Sequence, residues 1–190
     1  MKKTTFLIAS VSLLIVMALC VGGCSSSGGS GATTRTRAQQ ALIDALPQDP
    51  GDAGKVTLEG IDSDGDGVRD DVQRYIVLNY LDSAKTRAAL MQYAKEQQTK
   101  IQIADSDEEV AIEMVQASNA LYCLLYVFRD DSNLADEIST KLDLQVRNTN
   151  ARWEASAKFS SQLVGQSFGG SYSEDEKKAK CSFNTDTMKD

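Results

Sequence analysis

Three aspartates alternate with small residues at the start of the stretch Asp62-Ser63-Asp64-Gly65-Asp66-Gly67-Val68-Arg69-Asp70-Asp71-Val72-Gln73. Acids at every second position repel one another, and a turn alone gives no reason to concentrate charge that way. A hard cation does, because Ca²⁺ takes six to eight oxygen ligands at about 2.4 Å. Asp62, Asp64 and Asp66, at loop positions 1, 3 and 5, can all turn inward where Gly67 at position 6 permits the sharp reversal. Val68 would then offer a backbone carbonyl, Asp70 a direct or water-mediated oxygen, and Gln73 one amide oxygen, with Asp71 standing beside Asp70. The expected cofactor is Ca²⁺. The competing reading needs no metal, since Asp and Gly cluster in turns and acids before a helix stabilise its N-terminus.

The loop resembles the calcium loop of EF-hands and of the related dockerin and thrombospondin type 3 repeats, over a dozen residues and not over the fold. It departs from the EF-hand pattern at two places. Position 8 is Arg69 where an apolar residue normally pairs with a second loop, and position 12 is Gln73 where a bidentate Glu normally closes the shell. Reduced affinity follows, with Asp70 or Asp71 recruited instead. No second loop of this kind occurs in the chain, which argues for a structural staple fixing the entry of the next helix and ordering residues 55–61. The wider stretch from Gly60 to Ile76 is similar to a segment of uncharacterised secreted and lipid-anchored proteins of Gram-negative bacteria, which implies no activity.

The remaining composition narrows the chemistry. None of the 190 residues is His, so Ser-His-Asp and Cys-His nucleophile systems and His-containing zinc sites are excluded. Carboxylate chemistry and oxygen-ligand metal binding remain. The net charge of −7 argues against nucleic acid as a partner.

Lys2 and Lys3 precede an apolar run from Phe6 to Val21, of signal-peptide length rather than a full membrane span. Val21-Gly22-Gly23-Cys24 resembles the lipobox of bacterial lipoproteins. The resemblance implies cleavage after Gly23, diacylglyceryl attachment to the Cys24 sulfur and N-acylation of the new terminus, a multi-chain anchor that holds stably. Cys20 is a poor rival because Leu19 precedes it. Ser25 after the acylated Cys implies, by the sorting rule of Gram-negative lipoproteins, the outer membrane facing the periplasm. An uncleaved membrane helix is the alternative. Cleavage would leave 167 of the 190 residues and remove two of 20 basic residues but none of 27 acids, a mature charge of −9.

Residues 24–37 then form a lipidated tether rich in Gly and Ser, whose segment 24–34 has a root-mean-square reach of about 20 Å. With Cys20 and Cys24 accounted for, Cys123 and Cys181 are expected to form a disulfide in an oxidising compartment. Two free thiols are the alternative.

The elements that must position these groups read as helical. One all-α domain of about five or six helices is expected over residues 38–170, with a polar tail at 171–190 tied by the disulfide. A short helix around Ala38–Ala45 ends at Pro47. Val68, Val72, Tyr75, Ile76 and Tyr80, with Val77, Leu78 and Leu81 opposite, predict a central helix apolar on both sides. A further helix begins near Ser83, its Lys85, Arg87, Lys95, Glu96 and Lys100 solvated. The pattern Ser106-Asp107-Glu108-Glu109 predicts a capping box opening one long helix to Phe128, with Val110, Met114, Ala117, Leu121 and Leu124 inward. The Asp130-Asp131-Ser132-Asn133 cluster reads as a break and a new N-cap, after which a helix carries Leu134, Ile138 and Leu142. A last helix uses Val146, Trp153, Ala157 and Val164. Within it Asn148 and Arg152 present one polar face, and Trp153 is expected in the core.

Two functions fit. One is a non-catalytic lipid-anchored envelope protein, a Ca²⁺-stabilised helical module binding a protein or cell-wall component. The other is a carboxylate-dependent envelope hydrolase, such as a glycan-cleaving enzyme, with pairs such as Glu108 and Glu109 or Asp130 and Asp131 as candidates.

Overall fold

A computed structural model describes residues 35–189. The predicted signal peptide, the lipidation site Cys24 and the tether up to residue 34 lie outside the described residues. Those described are all-helical: α1 (Arg37–Asp44), α2 (Asp70–Asn79), α3 (Ala84–Gln102), α4 (Glu108–Ala117), α5 (Ala120–Val127), α6 (Ser132–Val146), α7 (Asn150–Ser161) and α8 (Glu174–Ala179), with a 3₁₀ turn over Gly51–Lys55.

The hub is α3, which packs against α2, α5, α6 and α7. Its buried Ala89, Leu90, Tyr93, Ala94 and Ile101 meet Val72 and Ile76 of α2, Cys123 and Leu124 of α5, Ile138 and Leu142 of α6, and Phe159 of α7. The expected central helix, α2, is instead one-sided, burying Val72, Ile76 and Val77 while Leu78 faces solvent. Helix α3 takes the central place because its apolar residues recur on several faces along 19 residues.

The single long helix expected from Ser106 to Phe128 is two. At Ser118 the backbone leaves the helix (ψ 126°). The cause is a side chain from α3: the Glu96 carboxylate accepts from the Asn119 and Ala120 N–H groups at 2.9 and 2.8 Å and from the Ser118 hydroxyl. A carboxylate at the N-terminus of α5 satisfies orphan donors and faces the positive end of the helix dipole. Glu96 is thus not a solvated residue. The break rephases the pattern, so Ala111, Ala120, Cys123 and Leu124 are buried while Val110 and Leu121 are exposed. The expected capping box is absent as well: Asp107 is the N-cap, and the Ser106 hydroxyl donates to the Ile103 carbonyl at 2.7 Å.

Asp131 caps α6 as expected, accepting from the Leu134 N–H at 3.0 Å, although Ala135 rather than Leu134 begins its buried stripe. In α7 the expected inward set is overturned: Arg152, Ala155 and Phe159 are buried, while Trp153 is 47% exposed beneath the Arg147 guanidinium, 4.6 Å from its ring centre. The chain breaks between Val146 and Asn150, and Thr149 starts the new helix as N-cap, which turns Trp153 outward. In the tail, α8 forms behind a capping box of Ser173 and Glu176. Cys123 of α5 and Cys181 after α8 stand at disulfide distance, S–S 2.03 Å, 58 residues apart in sequence. Gln92 of α3 fastens the same segment, donating to the Lys180 carbonyl and accepting from the Ser182 N–H, both at 2.9 Å.

Candidate metal centre

Residues 62–69 are a loop between Ile61 and α2, and its shape follows from its own side chains. The Asp62 carboxylate accepts from the Gly65 and Gly67 N–H groups, both at 2.9 Å. Asp66 accepts from the Val68 N–H at 2.7 Å, and Asp64 from the Asp66 N–H at 3.2 Å. Each aspartate thereby bends the backbone after it. Gly65 and Gly67 hold left-handed conformations (φ 71° and 90°), where a side chain would be strained. At Gly67 a Cβ would also lie 2.5 Å from the Lys95 ammonium, which donates to the Asp66 carbonyl at 3.1 Å. The left-handed backbone is what requires glycine at position 6, since the mobile end of Lys95 could give way.

Asp62, Asp64 and Asp66 converge: one carboxylate oxygen from each lies within 4.8 Å of the others, on the exposed side of the loop. Gln73, one turn into α2, reaches back across the cluster, its Nε2 donating to Asp64 at 2.9 Å and to Asp66 at 3.1 Å. Its Oε1 is buried without a hydrogen-bond partner. The Gln73 hydrogen bond holds the Asp64 carboxyl below its ordinary value. Burial, together with the negative charges of Asp64 and Asp62, pushes Asp66 above it, against the pull of the Val68 N–H and Lys95. The acids are therefore held together against mutual repulsion, in an arrangement that could hold a metal ion.

Of the other predicted ligands, the Asp70 and Asp71 carboxylates point elsewhere. Val68 buries its side chain in the core and anchors the loop there. Asp70 is buried and turned to position 2, accepting from the Ser63 N–H at 2.8 Å and from the Ser63 hydroxyl. With the Asp70 N–H donating to the Ile61 carbonyl at 2.8 Å, it closes the neck of the loop. Asp71 leaves the loop altogether, receiving the Arg69 guanidinium through Nε at 2.9 Å and Nη2 at 3.2 Å, and the Asn148 amide at 2.8 Å. Burial raises the Asp71 carboxyl, but the hydrogen bonds and charge of Arg69 outweigh it, and the net direction is downward. Neither carboxylate is turned toward the Asp62, Asp64 and Asp66 cluster.

Arg69 explains this. It is 1% exposed, and besides Asp71 its guanidinium donates to the Val146 and Gln145 carbonyls at 3.0 and 3.1 Å, covering the C-terminal end of α6. Arg152, 0% exposed, lies alongside and donates to the carbonyls of Gly54, Thr57 and Leu58 at 2.6, 2.9 and 3.1 Å, and to Asn148 at 2.6 Å. These bonds from Arg152 order much of the segment before the loop. The backbone between the two guanidiniums and the loop is Gly60, where a Cβ would meet Arg69 at 2.4 Å. Gln98 of α3 completes the mount, accepting from the Arg69 N–H and donating to the Gly67 carbonyl, both at 3.1 Å.

Sequence reasoning missed the roles of Gln98, Lys95 and Arg152. The one visible signal was Arg69 itself, a charge where related loops carry an apolar residue. The expected polar face of Asn148 and Arg152 does form, but it is internal. Of the acid pairs considered for hydrolysis, Asp131 is a helix cap, and Glu108 is exposed and accepts from Gln166 at 3.2 Å.

No protein-family model, no curated protein and no solved structure matches this chain. The loop therefore speaks through its own chemistry.

Proposed function

We propose that the chain is a lipid-anchored envelope protein whose helical domain is stabilised by one Ca²⁺ in the loop 62–73 and acts as a binding or structural module. The observation that carries the ion is the convergence of Asp62, Asp64 and Asp66 beneath the Gln73 amide. All available donors are hard oxygens, which suit Ca²⁺ or Mg²⁺ better than softer metals. The bent, glycine-hinged backbone favours the larger and more tolerant Ca²⁺ over the octahedral demand of Mg²⁺. Rotating the Gln73 amide by half a turn would place its unpartnered Oε1 toward the ion, and the Val68 carbonyl and water would complete the shell. The ion would neutralise charge that the protein leaves uncompensated and fix the N-terminus of α2 against α3 and α6.

The anchor and the compartment rest on Val21-Gly22-Gly23-Cys24 and Ser25. A bridge between Cys123 and Cys181, at disulfide distance, suits an oxidising compartment. The outer membrane facing the periplasm is the proposed location, and a protein or cell-wall component the proposed partner. The test of the ion is thermal unfolding in excess chelator and in millimolar Ca²⁺. A higher midpoint with Ca²⁺, lost in the double variant Asp62→Ala/Asp66→Ala, is expected; equal midpoints for the unaltered protein would refute the metal. Metabolic labelling with a radioactive fatty acid, lost in Cys24→Ala, tests the anchor separately.

A further inference from the structure

The break at Ser118 opens a cavity of about 600 Å³ on the side of α3 away from the loop, within the size range of small-molecule sites. Its walls come from four places: Tyr93, Gln97 and Lys100 on α3, the end of α4, Tyr122 on α5, and the irregular strap 166–173, which contributes Phe168 and Tyr172. The aromatic wall is preformed, with the rings of Tyr122 and Tyr172 at 4.3 Å and tilted by 58°, and Tyr172 steadied by the Lys180 ammonium 5.4 Å from its centre. Phe168 sits on the rim and is 39% exposed.

Lys100 supplies the charge. Its carboxylate neighbours are Glu96 and Asp143, and each is hydrogen-bonded or paired elsewhere: Glu96 holds the N-terminus of α5, and Asp143 pairs with Arg147 at 2.8 Å and with the Tyr93 phenol. No hydrogen bond or ion pair engages the Lys100 ammonium among the described residues, and burial holds its pKa below the ordinary value of 10.5. A half-buried cation that no side chain directly hydrogen-bonds, beside an aromatic wall, gains from an anionic group placed in the space in front of it.

We propose that this cavity binds a small monoanionic carboxylate carried on a flat ring, the carboxylate on Lys100 and the ring against Tyr122, Tyr172 and Phe168. One carboxylate rather than a phosphate dianion follows from the charges: the lining offers a single cation, and Glu96 and Asp143 behind it would repel a second negative charge. The inference deepens the binding role proposed above and rests on that part of it, not on the ion.

Calorimetric titration of the full chain in detergent and millimolar Ca²⁺, with benzoate and with its neutral isostere benzamide as probes, tests the site. Benzoate should bind one to one in the millimolar range or tighter, at least tenfold better than benzamide. Lys100→Met should remove that preference, Lys100→Arg should keep it, and Tyr172→Ala, on the strap, should weaken both probes alike. Equal binding of the two probes, no binding of either, or a preference that survives Lys100→Met would overturn the proposal. A chain that still shows the Ca²⁺-dependent unfolding midpoint but fails these titrations loses the cavity inference alone, whereas one that binds benzoate without any Ca²⁺ response loses the metal alone.

Discussion

Two charge clusters start from one sequence motif and are built on opposite plans. In the loop, Asp62, Asp64 and Asp66 face solvent with one amide and one distant ammonium near them. Behind it, Arg69, Asp71, Asn148 and Arg152 form a buried set in which every acid oxygen and most guanidinium hydrogens are spoken for, largely by backbone carbonyls of other elements. The buried cluster pairs Asp71 with Arg69, meets Arg152 with backbone carbonyls, and ties three distant segments together. The exposed cluster has only the Lys95 ammonium near it, and the proposed ion would supply the remaining balance from outside the chain. Adjacent residues of one sequence motif, Asp70 and Asp71, turn inward, whereas Asp66 stays on the exposed side of this divide.

The comparison is broken most severely from the buried side. Arg69→Met leaves Asp71 half-paired and exposes the end of α6, and should cost about 3–5 kcal/mol in urea unfolding, a loss of the size seen when one partner of a buried ion pair is removed. Opening the bridge touches neither cluster. The double variant Cys123→Ser/Cys181→Ser should lose up to about 4 kcal/mol on the loop-entropy model for 58 residues, while keeping its response to chelator undiminished. Chelation alone should then remove about 3 kcal/mol relative to free Ca²⁺ at a hundred times its Kd.

Acid separates Asp71 of the buried cluster from Asp66 of the loop by sign. Asp71 titrates below the ordinary value of 3.8, so its contribution is full above that value and is lost as pH falls through the lower, folded-state pKa. Asp66 titrates above the ordinary value, so in the absence of metal its contribution runs the other way. Acid unfolding of the metal-free protein should therefore steepen below about pH 4, and Asp71→Asn should flatten it there. The smallest expected change sharpens the loop. Gln73→Glu supplies the bidentate oxygen pair that position 12 lacks, and should tighten Ca²⁺ binding about tenfold, or 1.4 kcal/mol, while lowering the metal-free unfolding midpoint.

How far the sequence could be read depended on whether a cause was local. The all-helical fold was legible from periodicity, and so was the start of α6, because Asp131 caps a helix beginning at the next residue. The acid triad and the hinge at Gly67 were legible for the same reason. The split of α4 from α5 was not, since its cause is Glu96, more than twenty residues away and indistinguishable along the sequence from a solvated surface acid. Arg152 and Trp153 were exchanged for a related reason. Composition places Trp inside and Arg outside, but three backbone carbonyls before the loop needed donors, and only a long, branched cation reaches them all.

The central claim is that the exposed cluster is completed by one Ca²⁺. Isothermal titration of Ca²⁺ into the metal-free protein tests it most directly. One site per chain is predicted, abolished in Asp62→Ala/Asp66→Ala and retained in Asp70→Asn, whose carboxylate is turned to Ser63. Absence of binding heat in the unaltered protein, or an unchanged site in the double variant, would contradict it.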